Sequence, residues 1–213
     1  MKDLIVVCGG SYGRQLYATV KIINSEAERQ GKEKPYNVIG FLDDNPHVLE
    51  GTEVDVPIIG GISDWQPKGG EVYAIGAAFA ATKKKLSEML QARGCRFETL
   101  ISPQTIVCDG VEIGEGSYIS AYYISAGVKL GKFVNINGSM ICPGAVIGDY
   151  STTTGFTVVE DATVGEGVFL GSHSVVCSGV TVGDYAKVSV GSIVTEDVKP
   201  GAMVFGVPAV EIG

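Results

Sequence analysis

The chain has 213 residues, 45% of them hydrophobic and 19% charged, with a formal net charge of −8. That composition is too apolar for a disordered protein, and its apolar runs fall well short of the ~20 residues that span a bilayer. The acidic balance argues against nucleic acid or an anionic membrane as partner. Met1-Lys2-Asp3 runs straight into an apolar strand without a basic-then-apolar leader, so the expectation is a cytoplasmic protein with no membrane insertion. The five Cys are scattered and never form a CxxC pair, and His47 and His173 are the only histidines. Free thiols in a reducing compartment and no metal site are expected.

The first part alternates strand and helix. Leu4–Cys8 has strand length, and residues 13–30 carry Leu16, Val20, Ile23 and Ala27 at helical spacing. Asn37–Leu42 reads as a second strand ending in Asp43-Asp44-Asn45-Pro46, Val56–Ile59 as a short third and Glu71–Ile75 as a fourth. A helix around 80–93 stops at Gly94, and Phe97–Ile101 makes the last strand. Such alternation predicts a parallel sheet with crossover helices.

Near Pro103 the texture changes. Residues 1–103 carry 12 Lys and Arg against 13 acids, whereas 104–213 carry 4 Lys, no Arg, 11 acids and 18 of the 30 Gly. The sequence therefore divides into domains 1–103 and 104–213. In the second, an aliphatic residue followed by Gly recurs at Ile113, Leu130, Ile147, Val164 and Val182, at intervals of 17, 17, 17 and 18. Aliphatic or small residues also recur about every six, as in Val164, Leu170, Val176, Val182, Val188 and Val194. Neither a helix nor an ordinary strand has that period. A chain turning a corner about every six residues does, and three sides close a triangular coil. Stacked coils would bury one aliphatic ladder, with Gly and small residues at the corners. The three shorter coils are expected to lose their residue on the same side: Ile119-Ser-Ala-Tyr-Tyr123, Ile136-Asn-Gly-Ser-Met140 and Thr153-Thr-Gly-Phe-Thr157.

Taken with Val7-Cys-Gly-Gly-Ser-Tyr-Gly-Arg14, Gly40-Phe-Leu-Asp-Asp44, Pro57-Ile-Ile-Gly60, Leu100-Ile-Ser-Pro103 and Gly206-Val-Pro-Ala209, the whole chain resembles the sialic-acid and bacillosamine type of sugar acetyltransferases. The resemblance implies an α/β, Rossmann-like N-terminal domain followed by an all-β left-handed parallel β-helix of hexapeptide repeats. It implies acyl transfer from acetyl-CoA to a nucleotide-linked amino sugar in surface-glycan synthesis, by a homotrimer. The sugar nucleotide would be held by Gly10, Ser11, Tyr12, Asp43, Asp44 and Gly60. Gly9 and Gly10 would admit a pyrophosphate to backbone N–H groups at a helix N-terminus. Thr152, Ser172, Val190 and Gly191 would line acetyl-CoA.

The sequence departs from the family at its base. Pro143 stands where the catalytic His belongs and Gly144 where its acid belongs; Tyr12, Ser102 and Thr152 replace three further His. Loss of a general base costs roughly 10²–10⁴ in rate. His173 is the remaining candidate base, with structural hydrogen bonding as its bland alternative. Glu160 and Asp161 read as solvated acids, and Cys142 lacks a cation to activate it. An enzyme with an unmapped base and a catalytically silent sugar-nucleotide or CoA-binding relative are the two functional classes left open.

Overall fold

A computed structural model describes residues 1–212. The chain divides into two compact units: Met1–Ala78 with Thr82–Pro103, and Phe79–Ala81 with the chain from Gln104 onward.

The first unit is built on five strands, β1 (Lys2–Val7), β2 (Tyr36–Leu42), β3 (Ile58–Gly60), β4 (Val72–Ile75) and β5 (Arg96–Phe97), with α1 (Ser11–Arg29) after β1 and α2 (Ala80–Gln91) after β4. All pairings are parallel and the order is β3-β2-β1-β4-β5. β1 and β4 are near-continuous apolar runs, and Leu4–Val7 and Val72–Ile75 are buried. α1 buries Leu16, Tyr17 and Val20, and Tyr17 meets Phe41 edge-on at 5.7 Å. β3 begins only after Pro57, whose carbonyl accepts from Phe41 N–H but which has no N–H to give. The expected strand over 97–101 is two pieces, Arg96–Phe97 and Leu100–Ile101.

The second unit is a parallel β-solenoid. One face stacks six strands, from Ile106–Val107 to Ile193–Val194, and the next stacks five, from Glu112–Ile113 to Thr181–Val182. The third face runs from Tyr118–Ser120 to Met203–Gly206 and closes with an antiparallel strand, Ala209–Glu211. The interior is the aliphatic ladder: Ile119, Ile136 and Leu170 on one face, Ile124, Ile141, Val159, Val176 and Val194 on another, and Leu130, Ile147, Val164 and Val182 on the third.

Two expectations about this unit are corrected. The third short side is not Thr153–Thr157. Ile141 pairs with Val159 while Ile136 pairs with Thr153, so that side is full-length and the missing residue falls between Val159 and Val164. Val158-Val159 offers two inward registers; the ladder takes Val159, which is fully buried, and leaves Val158 facing out beside Met140 and Val175. The corners are also not reserved for small residues. Phe133, Tyr150, Phe156, His173 and Tyr185 all have positive φ, between 53° and 61°. Left-handed backbone costs roughly 1–2 kcal/mol, and ring stacking returns a comparable amount. Phe133 and Tyr150 stack at 5.5 Å with planes 1° apart, and the Tyr185 ring lies over Gly167, where a Cβ would come within 2.6 Å of it.

Candidate functional site

In the first unit, chain order reverses at β1. The chain leaves it for β2 and β3 on one side, then returns to β4 and β5 on the other. Loops diverging from such a point open a crevice at the carboxyl ends of the strands. The loops here approach closely: Gly76 follows β4, and a Cβ on it would lie 2.2 Å from Gly13 Cα in α1. Gly13 has the same constraint against the Cys8 carbonyl, at 1.8 Å. Gly76 is a site-shaping residue the sequence analysis did not single out. Its signal is a Gly directly after an apolar strand.

Gly10 is the N-cap of α1, and no side chain caps it and no acid occupies the first turn. The first N–H groups of α1 thus face the crevice without a built-in anion, a disposition that suits a phosphate. The Arg14 guanidinium stays beside the loop, donating to Gly9 O at 3.0 Å. Ser11 is exposed and Tyr12 half-buried.

Asp43 and Asp44 do meet this loop cluster, but as braces. Asp43 Oδ2 accepts from Gly9 N–H at 2.8 Å and Oδ1 from Asn45 N–H at 2.9 Å. Asp44 Oδ1 accepts from Ile62 and Ser63 N–H at 2.7 and 3.1 Å, and Oδ2 from Ser63 Oγ. The Ser63 backbone bond leads in holding the Asp44 carboxyl below its ordinary range. Gly60, at the end of β3, accepts from Asp43 N–H. The two acids therefore tie the ends of β1, β2 and β3 together, and each keeps lone pairs for a ligand. Cys8, with φ 74°, is pushed up to about 12 by burial, then by Asp43 and Asp44, so it stays a thiol.

In the solenoid, Ser172, His173, Val190 and Gly191 share one corner. Gly191 N–H donates to Ser172 O at 2.9 Å, and Ser172 Oγ donates to Thr154 Oγ1 at 3.1 Å. Thr152 is fully buried although it stands in the outward row of its face, in register with Asn135, Phe169 and Lys187. The His173 ring is exposed and stacks on Phe156 at 4.9 Å, and Phe156 lies 5.9 Å from Tyr122. The His173 backbone N–H donates to Gly155 O at 3.0 Å, a bond independent of the imidazole. Beside this corner an apolar cavity of about 430 Å³ is lined by Phe79, Phe169, Val190, Met203 and Phe205, with Lys187 as its one cation.

At the corner expected to carry a base, Pro143 is exposed and Gly144 has φ 81°. A Cβ at 144 would lie 2.2 Å from Asp161 Oδ1. An acid could not be restored there without moving Asp161. Burial, then Glu160, raises the Cys142 thiol, so it is no activated nucleophile. Glu160 is not merely solvated: it accepts from Ser178 N–H at 2.9 Å and Ser178 Oγ at 3.0 Å. Among the described residues no group of three or more His, Cys, Asp and Glu is placed to hold a metal, and no helix is long and apolar enough to cross a membrane.

No protein-family model and no curated protein matches the sequence. Solved structures do match its fold over the full chain. The acetyltransferase domain of PglB from Neisseria gonorrhoeae FA1090 is 20% identical, with 100% of each chain covered and a TM-score of 0.82. WeeI from Acinetobacter baumannii AYE is 24% identical, again with 100% of each chain covered and a TM-score of 0.82. PerB from Caulobacter crescentus, solved with CoA and GDP-perosamine, is 21% identical, covers 100% of this chain and 98% of its own, and has a TM-score of 0.66.

Proposed function

We propose that this chain is an acyl-CoA-dependent transferase, with acetyl-CoA as donor and the amine of a nucleotide-linked sugar as acceptor, in surface-glycan synthesis. The observation that carries this reading is the full-length match in fold to the PglB domain, which has also been crystallised with acetyl coenzyme A, and to PerB, crystallised with CoA and GDP-perosamine. On this reading the first unit is Rossmann-like and the solenoid left-handed. The uncapped α1 N-terminus takes the sugar nucleotide's pyrophosphate, with Arg14 alongside and Asp43 accepting from a base edge or hydroxyl. The corner bearing Ser172, Val190 and Gly191 lines the CoA thioester. No metal is required.

The first solenoid face supports a homotrimer. Its outward residues are Ile106, Tyr123, Met140, Val158, Val175 and Ile193, an unbroken apolar row, whereas the second face presents Glu112, Lys129, Val146, Thr163 and Thr181, with one apolar residue among them. Three flat-sided prisms meeting on such a row would withdraw it from water. The cytoplasm, where nucleotide sugars and CoA are both present, is the proposed compartment.

Catalysis would rest on positioning. An amine held against the thioester carbonyl gains from proximity alone; with no His at residue 143 it either meets a base elsewhere in the chain or arrives already deprotonated, and the second route is the one proposed. The test is thiol release from acetyl-CoA with a panel of amino-sugar nucleotides, from about pH 6 to about pH 10. The expected rate climbs with pH toward the amine's own pKa. A plateau above a near-neutral titration, abolished by His173→Ala, would make His173 the base instead. The second reading, a catalytically silent binding module, is favoured by the Pro143-Gly144 corner. Tight sugar-nucleotide binding without turnover on any acceptor would establish it.

A further inference from the structure

One cavity of the first unit lies away from the carboxyl ends of the strands. It measures about 590 Å³ and lies toward their amino ends, against Lys2, Asp3, Ile5, Ile39 and Ile59. The connection between β3 and β4 contains no helix. This part of the sheet is therefore walled by Trp65 and the turn from Lys68 to Glu71.

The wall is held in place by a chain of hydrogen bonds. The Trp65 indole N–H donates to Tyr73 Oη at 2.9 Å, and Tyr73 O–H donates to Glu71 Oε1 at 2.9 Å. Lys68 N–H donates to the same Glu71 oxygen. The indole rests on Gly60, where a Cβ would come within 2.9 Å of the ring. Of the charges at the rim, Lys2 is paired with Glu98 at 2.8 Å, Asp3 accepts from Asn37 Nδ2 at 2.7 Å, and Glu71 is engaged as described; Met1, with the α-amino group, also lines the cavity. The Lys68 ammonium has no acidic partner among the described residues.

We infer that this slot is a second ligand site, for a flat aromatic ring bearing one negative charge. The ring would lie between the isoleucine floor and the indole, and its carboxylate or phosphate would meet Lys68. A volume of this size falls within the range of small-molecule sites. Ring against indole and anion against the Lys68 ammonium are the two contacts such a ligand would make.

Trp65 is the only tryptophan in the chain, so its emission reads the cavity directly. The experiment is titration of the full chain with 4-nitrobenzoate and with its neutral analogue 4-nitrobenzamide, for wild type, Lys68→Ala and the slot-filling Ile39→Phe. Saturable quenching is expected, with 4-nitrobenzoate favoured over the amide by about 10-fold. Lys68→Ala should erase that preference, and Ile39→Phe should abolish saturation for both compounds. Lys68 is exposed, so its variant should fold; unchanged circular dichroism checks this. Quenching that is linear and equal for both compounds, or a preference surviving Lys68→Ala, would overturn the assignment.

Discussion

The two units use their acids differently. In the solenoid a carboxylate bonds to backbone about one coil away: Asp149 to Lys132 N–H at 2.7 Å, Asp184 to Glu166 N–H at 2.8 Å, Asp197 to Thr181 N–H at 2.7 Å. These bonds repeat because the coil repeats, and they account for acids that would otherwise read as a surface for a basic partner. In the first unit, Asp43 and Asp44 bond to loops that follow different strands, and they do so beside an uncapped helix end. The same chemistry thus braces a periodic stack in one region and shapes a crevice in the other. An acid whose role is set by the repeat is a poor candidate for function. One that holds irregular loops around an open helix N-terminus is a better one.

The largest expected effect tests the stack. Leu170 is fully buried between Thr153 and Val188 in the ladder. Leu170→Ala should cost about 3 kcal/mol in denaturant unfolding. A loss below about 1 kcal/mol would mean that the coils close up around a cavity, contrary to a rigid stack. Next comes the close approach in the first unit. Gly13→Ala should cost about 2 kcal/mol, since the obstacle is the Cys8 backbone carbonyl, and should weaken nucleotide-sugar binding in calorimetry.

Asp44→Asn should cost about 1 kcal/mol, discounted because the carboxylate is exposed. Its folded pKa lies below the unfolded value of about 3.9, so its stabilisation is present above that pH and fades as pH falls through the folded value. Acid unfolding should accordingly be shallower in the variant than in wild type; identical profiles would remove Asp44 as a brace. Met140→Asp, on the apolar face, should leave the fold intact and shift light scattering from the proposed trimer to monomer; a wild type that is already monomeric would remove the trimer. The smallest effect is at the solenoid corner. His173→Ala removes an exposed ring stacked on Phe156 and should change stability by no more than about 0.5 kcal/mol. A larger loss would make the aromatic ridge a structural element.

Much of this was legible in residue spacing. The period of about six announced a coil, and apolar runs alternating with helical spacing announced a parallel sheet, because both patterns follow from which side chains must leave water. The Gly9-Gly10 turn was legible for a related reason: a helix starting directly after an apolar strand leaves its N-terminus at the strand's carboxyl end. The roles of Asp43 and Asp44 were only half legible. Position predicted where they sit, but their partners, Gly9, Ile62 and Ser63, depend on where the β3 loop returns. Aromatic corners were missed, though the signal exists: Gly131-Lys-Phe133, Gly148-Asp-Tyr150 and Gly183-Asp-Tyr185 share one pattern.

Taken alone, the sequence determined the periodicities, the change of texture near Pro103 and the absence of a histidine at residue 143, since each is a property of local composition or order. Tertiary structure decided the choice between Val158 and Val159, the strand order β3-β2-β1-β4-β5 and the open slot beside Trp65. For the register and the strand order the deciding contact lies far along the chain; for the slot, the floor residues Ile5 and Ile39 are themselves far apart in sequence. An inward register is fixed by the coils above and below, strand order by the side on which a connection returns, and a cavity by the helix that a connection lacks.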